Sequence, residues 1–168
     1  MQRLAGGAPI LIRRIRPDDK ELLVRGLQGL SELSARRRFL TPKRRFTAAE
    51  LRYLTEIDHH DHVALVAESP IQPVRSLIGV ARFVRSPEDP TLAELAVVVG
   101  DDFQQQGLAT ALLTRLARAA SERGVKRWRA TMLTSNEPAR RLVQGAAGRP
   151  VRAVHDGPVD ELEFELVA

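Results

Sequence analysis

Leu92-Ala93-Glu94-Leu95-Ala96-Val97-Val98-Val99 runs into Gly100-Asp101-Asp102-Phe103 and then Gln104-Gln105-Gln106-Gly107-Leu108-Ala109. The first eight residues form a near-continuous apolar run of strand length. About Gln105–Arg123 reads as a long helix, because Leu108, Leu112, Leu113, Leu116, Ala117 and Ala120 keep helical spacing and Gly124 stops it. A strand feeding a loop that caps a helix leaves several backbone N–H groups unpaired where the helix dipole is positive. Such a junction suits an anion, and a diphosphate in particular. Gly107 and the small Ala109 let a ligand come close to the backbone. No Gly-Lys-Ser/Thr follows the strand, which argues against a P-loop.

Outward from that junction, turn residues divide the chain into short elements. Ile10–Arg16 reads as a strand ended by Pro17, and Pro17-Asp18-Asp19 opens a helix whose apolar stripe is Leu22, Leu23, Leu27 and Leu30. Ser31–Phe39 is a second short helix. Thr47 with Glu50 makes a capping box that starts a third, through about Ile57. Val63–Glu68, Ser76–Val84 and Leu92–Val99 are strands broken by the turn-like Pro70–Pro73 and Ser86–Pro90, which predicts an antiparallel meander. Arg127–Leu133 is a strand and Glu137–Gln144 a short helix. Val151–His155 and Leu162–Val167 close the chain around Asp156-Gly157-Pro158. The order is β-α-α-α-β-β-β-α-β-α-β-β, a mixed α/β sheet flanked by helices. Residues 10–168 are expected as one domain and residues 1–9 as a flexible tail.

Composition narrows the chemistry. The chain has 168 residues, of which 43% are hydrophobic and only 4% aromatic, so the core is aliphatic. It has no cysteine, which excludes a disulfide scaffold, thiolate metal sites and a cysteine nucleophile. No apolar run reaches the ~18 residues of a membrane helix, and the first eight residues lack a signal-peptide core. A cytoplasmic protein without membrane contact is expected. The net charge is +5, and 23 of the 26 basic residues are arginine, the remainder being Lys20, Lys43 and Lys126. Arginine grips phosphate and carboxylate in a bidentate fork, so the balance fits an anionic partner.

Gln104-x-x-Gly107-x-Ala109, set between an apolar strand and a leucine-rich helix, resembles the acetyl-CoA-binding motif of the GNAT acyltransferases. The element order is similar to theirs over roughly residues 10–167. Ile15-Arg16-Pro17-Asp18-Asp19, Ser31–Phe39, Thr47–Glu50, Thr55–Ala67 and Ala93–Val99 are similar, more finely, to the acetyltransferase domains of bacterial protein lysine acetyltransferases. The resemblance implies a mostly antiparallel sheet of about seven strands, with a V-shaped split between the fourth and fifth, Leu92–Val99 and Arg127–Leu133. It implies acetyl-CoA as co-substrate, its diphosphate held around Gln104, Gln105, Gln106, Gly107, Leu108, Ala109 and Thr110. Val97, Val98 and Val99 would pair with the pantetheine arm as an added strand would, and a backbone N–H near Val97 would stabilise the oxyanion. Asn136 matches the residue that closes that arm. The acceptor implied is a primary amine, on a protein lysine or a small molecule.

An ammonium must lose a proton before it attacks a thioester. Glu94 is the only carboxylate within Leu92–Val99, and alternation puts it on one face with Ala96 and Val98. The resemblance makes it the general base, directly or through water. The bland alternative is an ion pair with Arg82 on the neighbouring strand. The tyrosine that many relatives carry seven residues after the asparagine is here Val143, and the only tyrosine is Tyr53, so no general acid is assigned.

Asp58, His59, His60, Asp61 and His62 look like metal ligands, but neighbours in an extended segment point apart and no metal is expected; a histidine there could instead touch the acceptor. Arg36-Arg37-Arg38 and Lys43-Arg44-Arg45 flank Phe39 and Phe46 and suit an acidic patch or nucleic acid, or a solvated face. Two rival readings follow: an acyl-CoA sensor without catalysis, and, less favoured, a basic nucleic-acid-binding module. Phe164 and Leu166, if exposed, would permit a homodimer, but core packing explains them equally well.

Overall fold

The structure, a computed structural model, describes residues 1–70 and 76–166. Eight strands form one sheet in the order β1-β2-β3-β4-β5-β6-β8-β7. They are β1 (Gln2–Arg3), β2 (Pro9–Arg14), β3 (His62–Ser69), β4 (Ser76–Arg85), β5 (Leu92–Val99), β6 (Arg127–Leu133), β7 (Arg152–Asp156) and β8 (Val159–Glu165). Every pair is antiparallel except β5 with β6. The helices are α1 (Lys20–Gln28), α2 (Glu32–Phe39), α3 (Ala48–Thr55), α4 (Leu108–Ser121) and α5 (Glu137–Ala147). Residues 71–73 of the expected turn at Pro70–Pro73, and Val167, lie outside the described residues.

Both faces of the central strands are covered, which is why they read as continuous apolar runs. Along β3, Val63 and Ala67 face the core under α4 and α5, while Ala64 and Val66 face the smaller core under α1 and α3. Leu108, Leu112, Leu113 and Leu116 of α4 fill the larger core with Phe83, Trp128 and Phe164. Gly79 of β4 lets α4 lie close: a Cβ there would stand 3.0 Å from Leu112 Cδ1 and 3.3 Å from Leu108 Cδ2. The start of α4 is thereby pressed against the middle of the sheet.

Four expectations need correction. Residues 1–9 are not a loose tail: Gln2 and Arg3 pair with Ile10 and Pro9, Leu4 is buried, and the Ala5 N–H donates to the Gln106 carbonyl at 3.3 Å. The added strand makes the sheet eight-stranded; the split stays between Leu92–Val99 and Arg127–Leu133, here β5 and β6. The long helix begins at Leu108 and not near Gln105, because Gln105 (φ 59°) and Gly107 (φ 82°) hold a left-handed turn. Pro17–Asp19 is a single 3-10 turn, so α1 starts at Lys20. Phe164 is fully buried and Leu166 packs on the same core, which removes the ground for a dimer through them. Among the described residues no helix is long and apolar enough to cross a membrane.

Candidate active site

The split follows from the register. β5 pairs with β6 only from Leu92↔Arg127 to Leu95↔Ala130; beyond that β6 continues with β8 alone. Residues 96–99 therefore have a partner on the β4 side only. The Gly100 N–H donates to Ile78 O at 2.9 Å and the Ser86 N–H to Leu92 O at 2.8 Å. Antiparallel alternation from these two bonds aims the backbone groups of Ala96 and Val98 at β4, and those of Val97 and Val99 at the open edge. Val97 and Val99 thus offer strand-type pairing to an extended arm.

At the end of that edge stands the turn that starts α4. Among the described residues, the N–H groups of Gln105, Gln106, Gly107, Leu108, Ala109 and Thr110 have no acceptor within the protein. Successive free N–H groups in a turn with left-handed residues, at a helix N-terminus, make a concavity for an anion. A cleft of about 530 Å³ lies here, between β5, the head of α4, α2 and the first turn of α5. A Cβ on Gly107 would meet no protein atom within 4 Å, and Gly107 lines the cleft, so its backbone is open to a ligand. Arg37, Arg38 and Arg141 also line it. The donors and charges fit a diphosphate, and the apolar strand edge fits the arm of a coenzyme A thioester.

The expected residues divide between lining and support. Val97, Val98, Val99, Gln104, Gln105, Gly107, Leu108, Ala109, Thr110 and Asn136 line the cleft; Gln106 does not, its side chain donating to Asp102 O at 3.0 Å. Gln104 Nε2 donates to Ser34 Oγ and Val99 O, both at 3.2 Å, which ties α2 to the end of β5. Asp101 accepts from the Ser31 N–H and Ser34 Oγ across the same joint. Asn136 caps α5, its Oδ1 accepting from the Ala139 N–H at 3.3 Å, and its Nδ2 has no partner among the described residues. Val143 is buried in the core.

Glu94 lies on the opposite sheet face from α4, with Ala96 and Val98, and outside the cleft lining. The ion pair with Arg82 does not form. Glu94 Oε1 instead accepts from Arg129 Nη1 at 3.1 Å, across the β5–β6 register. Arg129 also holds Glu163 at 3.1 Å and Glu161 at 3.4 Å. Partial burial pushes the Glu94 carboxyl above the usual glutamate range; the Arg129 charge opposes this without cancelling it. Arg82 is buried and donates from Nη1 to Leu54 O at 3.1 Å and to His62 Nε2 at 3.0 Å. His62 therefore offers Nε2 as an acceptor and is neutral, with burial and then the Arg82 charge pushing it down to about 4.

Asp58 accepts from the N–H groups of His60, Asp61 and His62 at 2.8–2.9 Å, so this carboxylate ties the loop backbone. Among the described residues no three histidine or carboxylate side chains converge as a ligand set. Of the basic clusters, Arg37 and Arg38 belong to the cleft, while Lys43 pairs with Glu50 and Arg44 with Glu32.

The sheet is thus opened along one strand, with a row of free N–H groups at the end of the split and a carboxylate on the opposite face. Residues 30–147 match the acetyltransferase (GNAT) family, and the chain belongs to that family. It is 36% identical over 163 residues to acetyltransferase Pat of Mycolicibacterium smegmatis, covering 92% of this chain and 48% of that protein. The chain thus spans about half the length of that relative. The GNAT domain of S. lividans PAT superposes with a TM-score of 0.85 at 29% identity, over 98% of this chain and 95% of that one. A cAMP-binding acyltransferase from Mycobacterium smegmatis superposes with a TM-score of 0.67 at 30% identity, over 99% of this chain and 46% of that one.

Proposed function

We propose that this chain is an acetyl-CoA-dependent N-acetyltransferase of the cytoplasm that acts on a primary amine, with a protein lysine as first candidate. The observation that carries the reading is the row of six acceptor-free N–H groups at the head of α4, continuous with the open edge of β5. Acetyl-CoA supplies the acetyl group as a thioester. The chain supplies position and proton transfer. The turn at 105–110 and Arg37 and Arg141 hold the diphosphate. Val97 and Val99 fix the arm by strand pairing, and Asn136 Nδ2 closes it from α5.

The acceptor comes from the Glu94 face. Glu94 is 47% exposed at its side chain, open enough for a residue arriving from solvent. Its raised pKa brings the carboxylate nearer to the amine it must deprotonate, directly or through one water. Calorimetric titration with acetyl-CoA, followed by a thiol-release assay on a lysine peptide, tests the reading. Micromolar binding and amine-dependent thiol release are expected; a chain indifferent to millimolar acetyl-CoA overturns it.

A further inference from the structure

Arg82 and Arg38 are the anomaly of the acceptor side. Together they line a small pocket of about 60 Å³ whose other walls include Leu23, Leu27, Phe39 and Leu77. Arg82 is only 5% exposed, and no carboxylate pairs with either guanidinium among the described residues. Nη1 of Arg82 is occupied by Leu54 O and His62 Nε2. Nε is buried without a partner, and Nη2 makes no hydrogen bond among the described residues. Nε is closed off even to a water molecule, so the donor left for an incoming anion is Nη2, which a carboxylate meets with a charge-assisted hydrogen bond. Burial, then the other arginine's charge, pushes Arg82 down to about 9; burial pushes Arg38 down to about 10. Both still carry charge at neutral pH. Two uncompensated cations in one apolar pocket are costly unless an anion enters.

The pocket is placed to serve the reaction. Arg82 faces Ala96 across the β4–β5 register, and Glu94 faces Val84 one pleat further along, so Arg82 and Glu94 share a sheet face. Val98 and Arg38 line both this pocket and the coenzyme cleft. We propose that Arg82, aided by Arg38, is a specificity site for a carboxylate carried by the amine acceptor. The site anchors that carboxylate while the amine reaches toward Glu94. A carboxylate fits better than a phosphate, because the pocket is small and walled by apolar side chains. This proposal rests on the N-acetyltransferase reading.

The test uses two pairs of acceptors at fixed ionic strength. One pair is a lysine peptide with glutamate or glutamine beside the lysine; the other is free lysine against lysinamide. The wild type is expected to prefer the carboxylate member of one pair at least tenfold in kcat/KM, mainly through KM. The pair that responds says whether the carboxylate belongs to a neighbouring side chain or to a small acceptor. Arg82→Gln is expected to reduce the preference to within twofold, and Arg82→Lys to retain part of it. Should Arg82 variants fail to fold, Arg38→Gln on the half-exposed partner lowers the same ratio, from which any effect on coenzyme cancels. Equal use of both members of both pairs overturns the proposal, as does an undiminished preference in a folded Arg82→Gln. Glutarate titrated calorimetrically into the coenzyme-free chain separates the two ideas. If acetyl-CoA does not bind, the function reading fails; Arg82-dependent glutarate binding then keeps the anion site, and its absence removes it.

Discussion

Along the edge of β5 that faces the split, recognition is done mainly by backbone, the peptide groups of Val97 and Val99 and the free N–H groups from Gln105 to Thr110, with Arg37, Arg141 and Asn136 beside them. On the sheet face that carries Glu94, side chains from four separate elements are set beside one another: Arg38 from α2, Arg82 from β4, Glu94 from β5 and Arg129 from β6. The first surface is set chiefly by a left-handed turn and an unpaired strand edge, which many sequences can supply. The second depends on identity at each position. One fold can therefore keep its coenzyme while its acceptor changes.

The contrast is broken most sharply at Glu94. Glu94→Gln keeps the shape and removes the base, and kcat is expected to fall by roughly 10²–10⁴-fold, the usual worth of a positioned general base. Acetyl-CoA affinity should not move, because Glu94 stands outside the cleft lining. Nor should the fold suffer. A carboxyl whose folded pKa is raised favours the folded state in its protonated form, and that contribution is lost as pH rises through the folded value. At neutral pH the ionised Glu94 is thus no asset to stability. Steady-state kinetics with calorimetry and thermal melting checks all three; a weakened coenzyme affinity would mean that the two surfaces are not separate.

Gly107 gives the converse, with a smaller effect. At φ 82° any side chain is strained, by about 1–2 kcal/mol, which lowers the melting temperature by about 2–4 °C per kcal/mol in a chain of this size. Gly107→Ala also adds a methyl at a residue that lines the cleft and disturbs the left-handed turn that exposes the N–H groups. Acetyl-CoA affinity is expected to fall about tenfold, or ~1.4 kcal/mol, while the preference among acceptors stays as in the wild type. Binding calorimetry and a comparison of two acceptors at saturating coenzyme measure this.

These surfaces differed in legibility for the same physical reason. A backbone site leaves a compact sequence signature, because glycine and small residues are needed at fixed offsets from a strand end, and Gln104-x-x-Gly107-x-Ala109 carries it. Even so the apolar spacing points to a helix start near Gln105, because a glutamine in the left-handed region gives no compositional warning. The two-residue β1 is too short to show any period, and Phe164 gave no sign of which face it takes. The acceptor face is assembled by register between distant strands, so the Glu94–Arg129 pair could not be chosen over Glu94–Arg82 without the parallel β5–β6 pairing. Arg82 did leave a signal of the kind that marks Glu94. It is the lone charge within Leu77–Val84, an otherwise apolar strand covered on both faces. Arg38 left none, being one of three arginines in a row.

Arg129 sharpens the comparison at the level of a pH profile. Three influences set the Glu94 carboxyl: burial raises its pKa, the Arg129 charge and hydrogen bond lower it, and the nearby Glu161 and Glu163 raise it again. Arg129→Gln removes the only lowering influence among these. The carboxyl then holds its proton to higher pH, so the acidic limb of kcat/KM should move toward neutrality, and the rate at low pH should fall more than the rate at high pH. Glu163, buried and held in its ionised form by Arg129, Arg127 and Arg152 against the pull of burial, loses one of three guanidinium partners but keeps two. The fold should therefore survive. Acetyl-CoA affinity should be unchanged at every pH, since no part of the cradle touches Arg129. A profile that keeps its shape while the whole rate drops would make Arg129 a structural clamp with no hold over the proton on Glu94.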